Sequence, residues 1–123
     1  MNKNEIRVKV QSAMHGLIRE KGSASSVDVL ITIGVLSKDD YEGWRNGKVD
    51  YLEHVCKVSL GKLSSINREI RAYAKQHNLK PSYTDYRKWG KGEKTKLRFS
   101  KSGDNNIEKL YATHYVDEQR SGK

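Results

Sequence analysis

The segment from Ser59 to Gln76 constrains the fold more than any other. Leu60, Leu63, Ile66, Ile70, Tyr73 and Ala74 recur at the three- and four-residue intervals of one helical face. Ser59 stands where an N-cap is needed to accept the first orphan amide hydrogens. A helix of this length is stable in water only when its apolar stripe is covered, so the rest of the chain has to supply that cover. The other faces carry Lys62, Ser64, Ser65, Asn67, Arg68, Arg71 and Lys75, side chains suited to phosphates or base edges.

The N-terminal half predicts three partners. Ile6, Val10, Met14, Leu17 and Ile18 repeat at helical spacing, with Asn2 or Asn4 as cap and Gly22 just past the end. Ser25-Ser26 cap a second, largely buried helix through Val27, Val29, Leu30, Ile31 and Ile33, with a strand as the alternative reading. Gly34-Val35 then reads as a left-handed glycine stop followed by an apolar residue that packs back. Ser37-Lys38-Asp39-Asp40 opens a third helix through Tyr41 and Trp44 that ends at Gly47. The pair from Ser26 to Asn46 has a helix-turn-helix outline, but Asp39, Asp40 and Glu42 stand where phosphates would lie, so the pair reads as packing or a protein-contact surface. A short helix from Asp50 to about Lys57 makes a second such candidate with the Ser59–Gln76 helix; Glu53 sits where that motif needs a small residue.

Beyond Gln76 the signals change. Pro81 ends the long helix, because the residue before proline is pushed away from helical angles. Tyr83, Tyr86 and Trp89 lie three residues apart, and the spacing predicts one or two helical turns with the rings near one face. A strand would put Tyr86 opposite the other two. Thr95 to Ser100 alternates, with Leu97 and Phe99 on one face and Lys96, Arg98 and Ser100 on the other, as in a half-buried strand. Asp104-Asn105-Asn106 cap a helix through Ile107, Leu110 and Tyr111, and residues 112–116 form a further strand. The expectation is a predominantly helical α+β domain over residues 1–116: about four N-terminal helices, then a small C-terminal β-sheet with a short helix, packed on the Ser59–Gln76 helix. Residues 117–123 read as a flexible polar tail. At 123 residues with 35% apolar content, one modest core is all that the chain can build.

Charge gives the functional lead. Between Lys62 and Lys101 twelve cationic residues face three acidic ones, which equals the +9 net charge of the whole chain. Residues 22–60 are net acidic, a segregation that solubility alone does not require. Clustered Lys and Arg release counterions from phosphate backbones, so a polyanion is the implied partner. The first reading is a non-enzymatic nucleic-acid-binding module, DNA or RNA, that uses Lys62, Arg68, Arg71, Lys75, Arg87, Lys88, Lys91, Lys94, Lys96 and Arg98, with Tyr83, Tyr86 and Trp89 as stacking candidates. The second is a protein-interaction module or inhibitor that presents its basic surface to an acidic protein partner and uses Asp39, Asp40, Glu42, Tyr41 and Trp44 as another contact face.

Other chemistry finds little footing. His54 and Cys56 are too few and too close for a zinc site, and His15, His77 and His114 add no recurring ligand spacing. Residues 90–95, Gly-Lys-Gly-Glu-Lys-Thr, lack the order of a phosphate loop. Cys56 reads as a buried structural thiol, and Asp39-Asp40 as dipole-stabilising residues of a helix start. No cofactor or metal is implied. A lone cysteine with no apolar run of membrane-span length points to a reducing cytoplasm.

The runs Leu79-Lys-Pro-Ser-Tyr-Thr, Lys88-Trp-Gly-Lys-Gly, Leu97-Arg-Phe-Ser-Lys-Ser-Gly and Tyr111-Ala-Thr-His-Tyr-Val resemble an uncharacterised family of small bacterial proteins. The resemblance covers residues 26–116 and implies no activity, cofactor or site residue.

Overall fold

The computed structural model describes residues 1–121. Helix α1, Lys3–Lys21, starts in a capping box: Asn2 Oδ1 accepts the Glu5 N–H at 2.9 Å, and the Glu5 carboxylate accepts the Asn2 N–H at 3.3 Å. It ends at Gly22, whose φ of 76° is open to glycine at little cost. A three-residue strand, β1 (Ser23–Ser25), leads into α2, Ser26–Thr32, where Ser25 Oγ accepts the Asp28 N–H. Gly34 is left-handed and the buried Val35 returns its N–H to Leu30 O, which closes α2 as its sequence predicts. Helix α3, Lys38–Arg45, is capped by Ser37. Helix α4, Leu60–Gln76, is capped by Ser59 and packs along α1.

The stretch from Asp50 to Lys57, expected as a short helix, contains only one 3-10 turn, Leu52–Val55. Its backbone is drawn to a distant partner instead: Leu52 N–H donates to Arg98 O at 3.2 Å and Glu53 N–H to Phe99 O at 2.9 Å. Without a helix there, the second helix-turn-helix outline does not form.

Of the two expected strands, the one over residues 112–116 forms the centre of the sheet, while the other two strands of the sheet come from segments not read as strands. Strand β2, Lys80–Tyr83, follows α4; helix α5, Asn105–Ala112, is capped by Asp104 and runs into β3, Thr113–Val116. The order is β1-β3-β2, all antiparallel, with Ala24 and Pro81 both opposite Tyr115. Pro81 is tolerated because β2 is an edge strand. The turn expected over residues 82–89 is therefore extended, not helical, since Thr84 N–H is taken by Ala112 O and Lys88 N–H by Thr95 O.

Residues 95–100 alternate as predicted at four positions: Leu97 and Phe99 are buried, Lys96 and Arg98 exposed. They form no sheet strand, because their hydrogen bonds are divided between Tyr86 and Lys88 on one side and Leu52 and Glu53 on the other. Ser100, expected outside, is buried at 1% exposure, because its N–H and hydroxyl both donate to Glu108 Oε2 at 2.6 Å. Of the polar tail, Glu118–Ser121 form a helical turn, α6, with Glu118 3.3 Å from Lys80 Nζ; residues 122–123 lie outside the described residues.

An aromatic cluster joins these parts. Trp44 is fully buried, with its ring centroid 5.1 Å from Phe99 and 5.6 Å from Tyr86, and its indole N–H donates to Arg98 O at 2.8 Å. Phe99 stacks on Tyr111 at 5.5 Å. Phe99→Ala removes the ring that touches all three and is expected to cost about 3–5 kcal/mol in urea unfolding. A loss below about 1 kcal/mol would mean that the cluster is not the centre of the core.

Candidate nucleic-acid interface

The stripe of α4 faces α1, which turns Arg68, Arg71 and Lys75 outward on the opposite side. There they meet α5 and the sheet. Arg68, Arg71 and Lys75 line an open groove of about 900 Å³ whose far wall includes Tyr83, Lys109 and Tyr115. A second opening of about 630 Å³ continues it toward the start of α4, between Leu60, Ser64, Arg68 and Arg71 on one wall and Lys101, Ile107 and Leu110 on the other. Arg68, Arg71 and Leu110 belong to both, so the two form one trough.

Five cations therefore border the trough: Arg68, Arg71, Lys75, Lys101 and Lys109. One carboxylate, Glu53, lines it among the described residues, and that group is engaged. Its Oε2 accepts the Tyr111 hydroxyl at 2.7 Å and its Oε1 the Lys101 N–H at 2.8 Å. Burial, reinforced by Glu53, pushes the Tyr111 phenol far up, so it remains a donor. Five cations outnumber this one carboxylate, so the trough presents net positive charge to a ligand.

The site differs from the sequence reading in membership. Lys62 is half-buried and its Nζ donates to Met1 O, away from the trough. Arg98 is spent on its own turn: Nε donates to Ser100 O at 2.8 Å, Nη2 to Lys101 O, and the guanidinium lies 5.6 Å from the Tyr51 ring. Lys101 and Lys109 were not among the predicted site residues. On α5 the inward positions of Ile107, Leu110 and Tyr111 leave Lys109 outside, but only the fold places α5 opposite α4.

Arg87, Lys88, Lys91, Lys94 and Lys96 do not line the trough; they form a second basic set on the loop between Asp85 and Leu97, where Arg87 and Lys96 form an isolated bridge. Asp85 pairs with Arg87 at 3.2 Å and Lys96 at 3.5 Å, exposed contacts worth little. Lys94 Nζ donates to Gly90 O, and the Lys88 stem crosses Gly47, where an added Cβ would stand 2.9 Å from Lys88 Cε. Lys91 is exposed between Gly90 and Gly92, both left-handed.

The three rings separate as a strand would separate them. Tyr86 is buried, its phenol is pushed up to about 12 chiefly by burial, and its hydroxyl lies 3.0 Å from Nε2 of His114, so it is core and not a stacking platform. Trp89 is 41% exposed, but the Arg45 guanidinium, itself anchored by the Tyr41 hydroxyl, lies over its ring at 4.7 Å and Tyr41 meets it in a T-shaped contact at 5.9 Å. Tyr83 alone borders the trough, 59% exposed, with Lys109 Nζ 4.7 Å from its ring. Full burial also removes Trp44 from the contact face drawn with Asp39, Asp40 and Glu42.

No protein family, curated protein or solved structure matches the chain. Among the described residues no helix is long and apolar enough to cross a membrane, and no group of three His, Cys, Asp or Glu can hold a metal ion.

Two tests check these placements. Lys96→Ala should leave stability within about 0.5 kcal/mol, while Arg98→Ala, which frees two carbonyls of the 100–103 turn, should cost about 1 kcal/mol or more in thermal melts. Equal effects would show that Arg98 does not hold the turn. Cys56 is half-buried, with Sγ 3.5 Å from Leu52 O, and its thiol is pushed up to about 12 by burial and then by Glu53 and Asp40. Alkylation by iodoacetamide at pH 8 should therefore be far slower in the folded protein than in urea, because the thiolate is the nucleophile. Similar rates would place Cys56 at the surface.

Proposed function

We propose that this chain is a non-enzymatic nucleic-acid-binding module in which the trough between α4 and α5 receives the phosphate backbone. The observation that carries the reading is the convergence of Arg68, Arg71, Lys75, Lys101 and Lys109 on one continuous trough whose lone carboxylate is already hydrogen-bonded. From Leu60 to Lys75 the trough follows α4 for about 22 Å, at about 1.5 Å per residue. A small anion would need one or two of these cations. Charges spread over such a length suit a chain of repeated phosphates. Arg68 and Arg71 supply planar forks that match phosphate oxygens, and the three lysines, Lys75, Lys101 and Lys109, supply charge without fixed geometry. The loop bearing Arg87, Lys88, Lys91, Lys94 and Lys96 adds a further phosphate-facing surface and long-range attraction. A reducing cytoplasm, where nucleic acid is at hand and Cys56 stays a thiol, is the compartment that fits this reading.

The test is the salt dependence of oligonucleotide binding followed by fluorescence anisotropy. Arg68→Ala, Arg71→Ala and Lys75→Ala combined should flatten the slope of log affinity against log salt by about 2–3 units, at about 0.7–0.9 per lost phosphate contact. The same three substitutions should leave the melting temperature nearly unchanged, since all three side chains are exposed. A flat slope in the native protein, or no binding near 50 mM salt, would overturn the proposal. Capture of an acidic protein from nuclease-treated lysate, together with such a failure, would favour the protein-interaction reading.

A further inference from the structure

Resting on the reading of the trough as a phosphate-binding site, we infer that its ligand is single-stranded nucleic acid, held with phosphates on the cationic rims and bases on the apolar floor. The trough is not uniformly polar. Leu60, Ile107 and Leu110 form an apolar stretch between Arg68 and Lys101, and Tyr83 stands at the other end. Leu60 is 48% exposed and Tyr83 59%, two of the four large apolar side chains left in solvent among the described residues. Leu60 belongs to the apolar stripe of α4, but unlike Leu63, Ile66, Ile70, Tyr73 and Ala74 it is left uncovered by the fold, and Tyr83 stays exposed on the paired strand β2. Their exposure costs contact with water that a ligand face would relieve.

A duplex cannot use such a floor. Its base faces are stacked on one another, and its outer surface offers phosphates, sugars and base edges only. A single strand has free π-faces, and a basic groove interleaved with a ring and aliphatic side chains is the arrangement that holds it without reading its sequence. Lys109 Nζ lies over the Tyr83 ring at 4.7 Å, and because this side chain is exposed and flexible, a base that stacks there displaces it toward the neighbouring phosphate. Ser64 and Ser102, which also line the trough, present hydroxyls suited to base edges or sugars.

The experiment measures anisotropy of a labelled single-stranded oligonucleotide and of the duplex of the same sequence, at 50 and 200 mM salt. The wild-type chain is expected to bind the single strand at least about tenfold more tightly than the duplex. Tyr83→Ala should weaken single-strand binding by about 5- to 150-fold, the worth of one stacked base. It should leave duplex binding unchanged, while Tyr83→Phe, which keeps the ring, retains wild-type affinity. Leu60→Ser provides an independent variant at the other end of the floor, with a loss again confined to the single strand. Circular dichroism of each variant confirms that it is folded. Duplex binding as tight as single-strand binding, or equal effects of Tyr83→Ala on both, overturns the inference and leaves the nucleic-acid reading standing. No binding of either form at 50 mM salt overturns both.

Discussion

The Glu108 carboxylate is the contact on which the C-terminal third depends. It accepts the Phe99 N–H at 3.0 Å and the Ser100 N–H and hydroxyl at 2.6 Å, at a point where the 95–103 segment has no sheet neighbour to satisfy it. Buried amides without partners are costly, so this one side chain makes an irregular backbone tolerable in the core. By fixing Phe99 it also sets the stack with Tyr111 and the contact with Trp44, and thus the seat of α5. Glu53 repeats the device from the other side, joining the 3-10 turn to Lys101 and Tyr111. The trough exists because these two carboxylates hold its α5 wall in place opposite α4.

What the sequence reveals here is what local interactions decide. Asn2, Ser25, Ser37, Ser59 and Asp104 each cap the helix expected of them, because a cap bonds to amides two or three residues away. In the sheet, β3 is legible over residues 112–116, but β1 and β2 are not, for the converse reason. Ser23–Ser25 is three residues long and has no alternation, β2 contains Pro81, and the partner of both is β3, thirty or more residues away. Tyr83, Tyr86 and Trp89 show the same conflict in small compass: a spacing of three mimics a helix, yet Tyr83 lies out and Tyr86 in, the parity of an extended chain. Hydrogen bonds to Ala112, far along the chain, and to Thr95, across the turn at Gly90 and Gly92, decide the matter, and the three-residue spacing of the rings reveals neither.

The charge count was similarly sound as a total and incomplete as a map. Of the ten cations singled out, Arg68, Arg71 and Lys75 share the trough, five occupy the loop between Asp85 and Leu97, and Lys62 and Arg98 serve the fold. Long cationic side chains have two uses, as charges and as donors to stray carbonyls, and sequence does not distinguish them. Arg98 illustrates the second use: it sits in the densest basic stretch of the chain and spends its guanidinium on the carbonyls of Ser100 and Lys101. Lys109 illustrates the first, isolated in sequence among Glu108 and Leu110 and brought to the trough only by the orientation of α5.

Arg45 explains why the second basic surface stays apart from the first. Its guanidinium lies 4.7 Å from the Trp89 ring and 5.1 Å from Tyr86, its Nη1 donates to the Tyr41 hydroxyl at 3.1 Å, and its Nε is buried with no hydrogen-bond partner among the described residues. Ring faces that carry negative quadrupole potential offset that missing bond, so the arrangement is stable only while the rings surround it. Trp89 N–H donates to Arg45 O at 2.7 Å, which fastens the base of the loop to the end of α3. The loop's lysines are thereby anchored beside the acidic helix and not beside α4. Attraction between Lys88–Lys96 and the acidic residues of α3 is weak at this exposure. The aromatic contacts, and not the charges, therefore decide where the loop sits, and the trough is left to be defined by α4, α5 and the sheet, with Glu53, Lys101 and Ser102 closing one end.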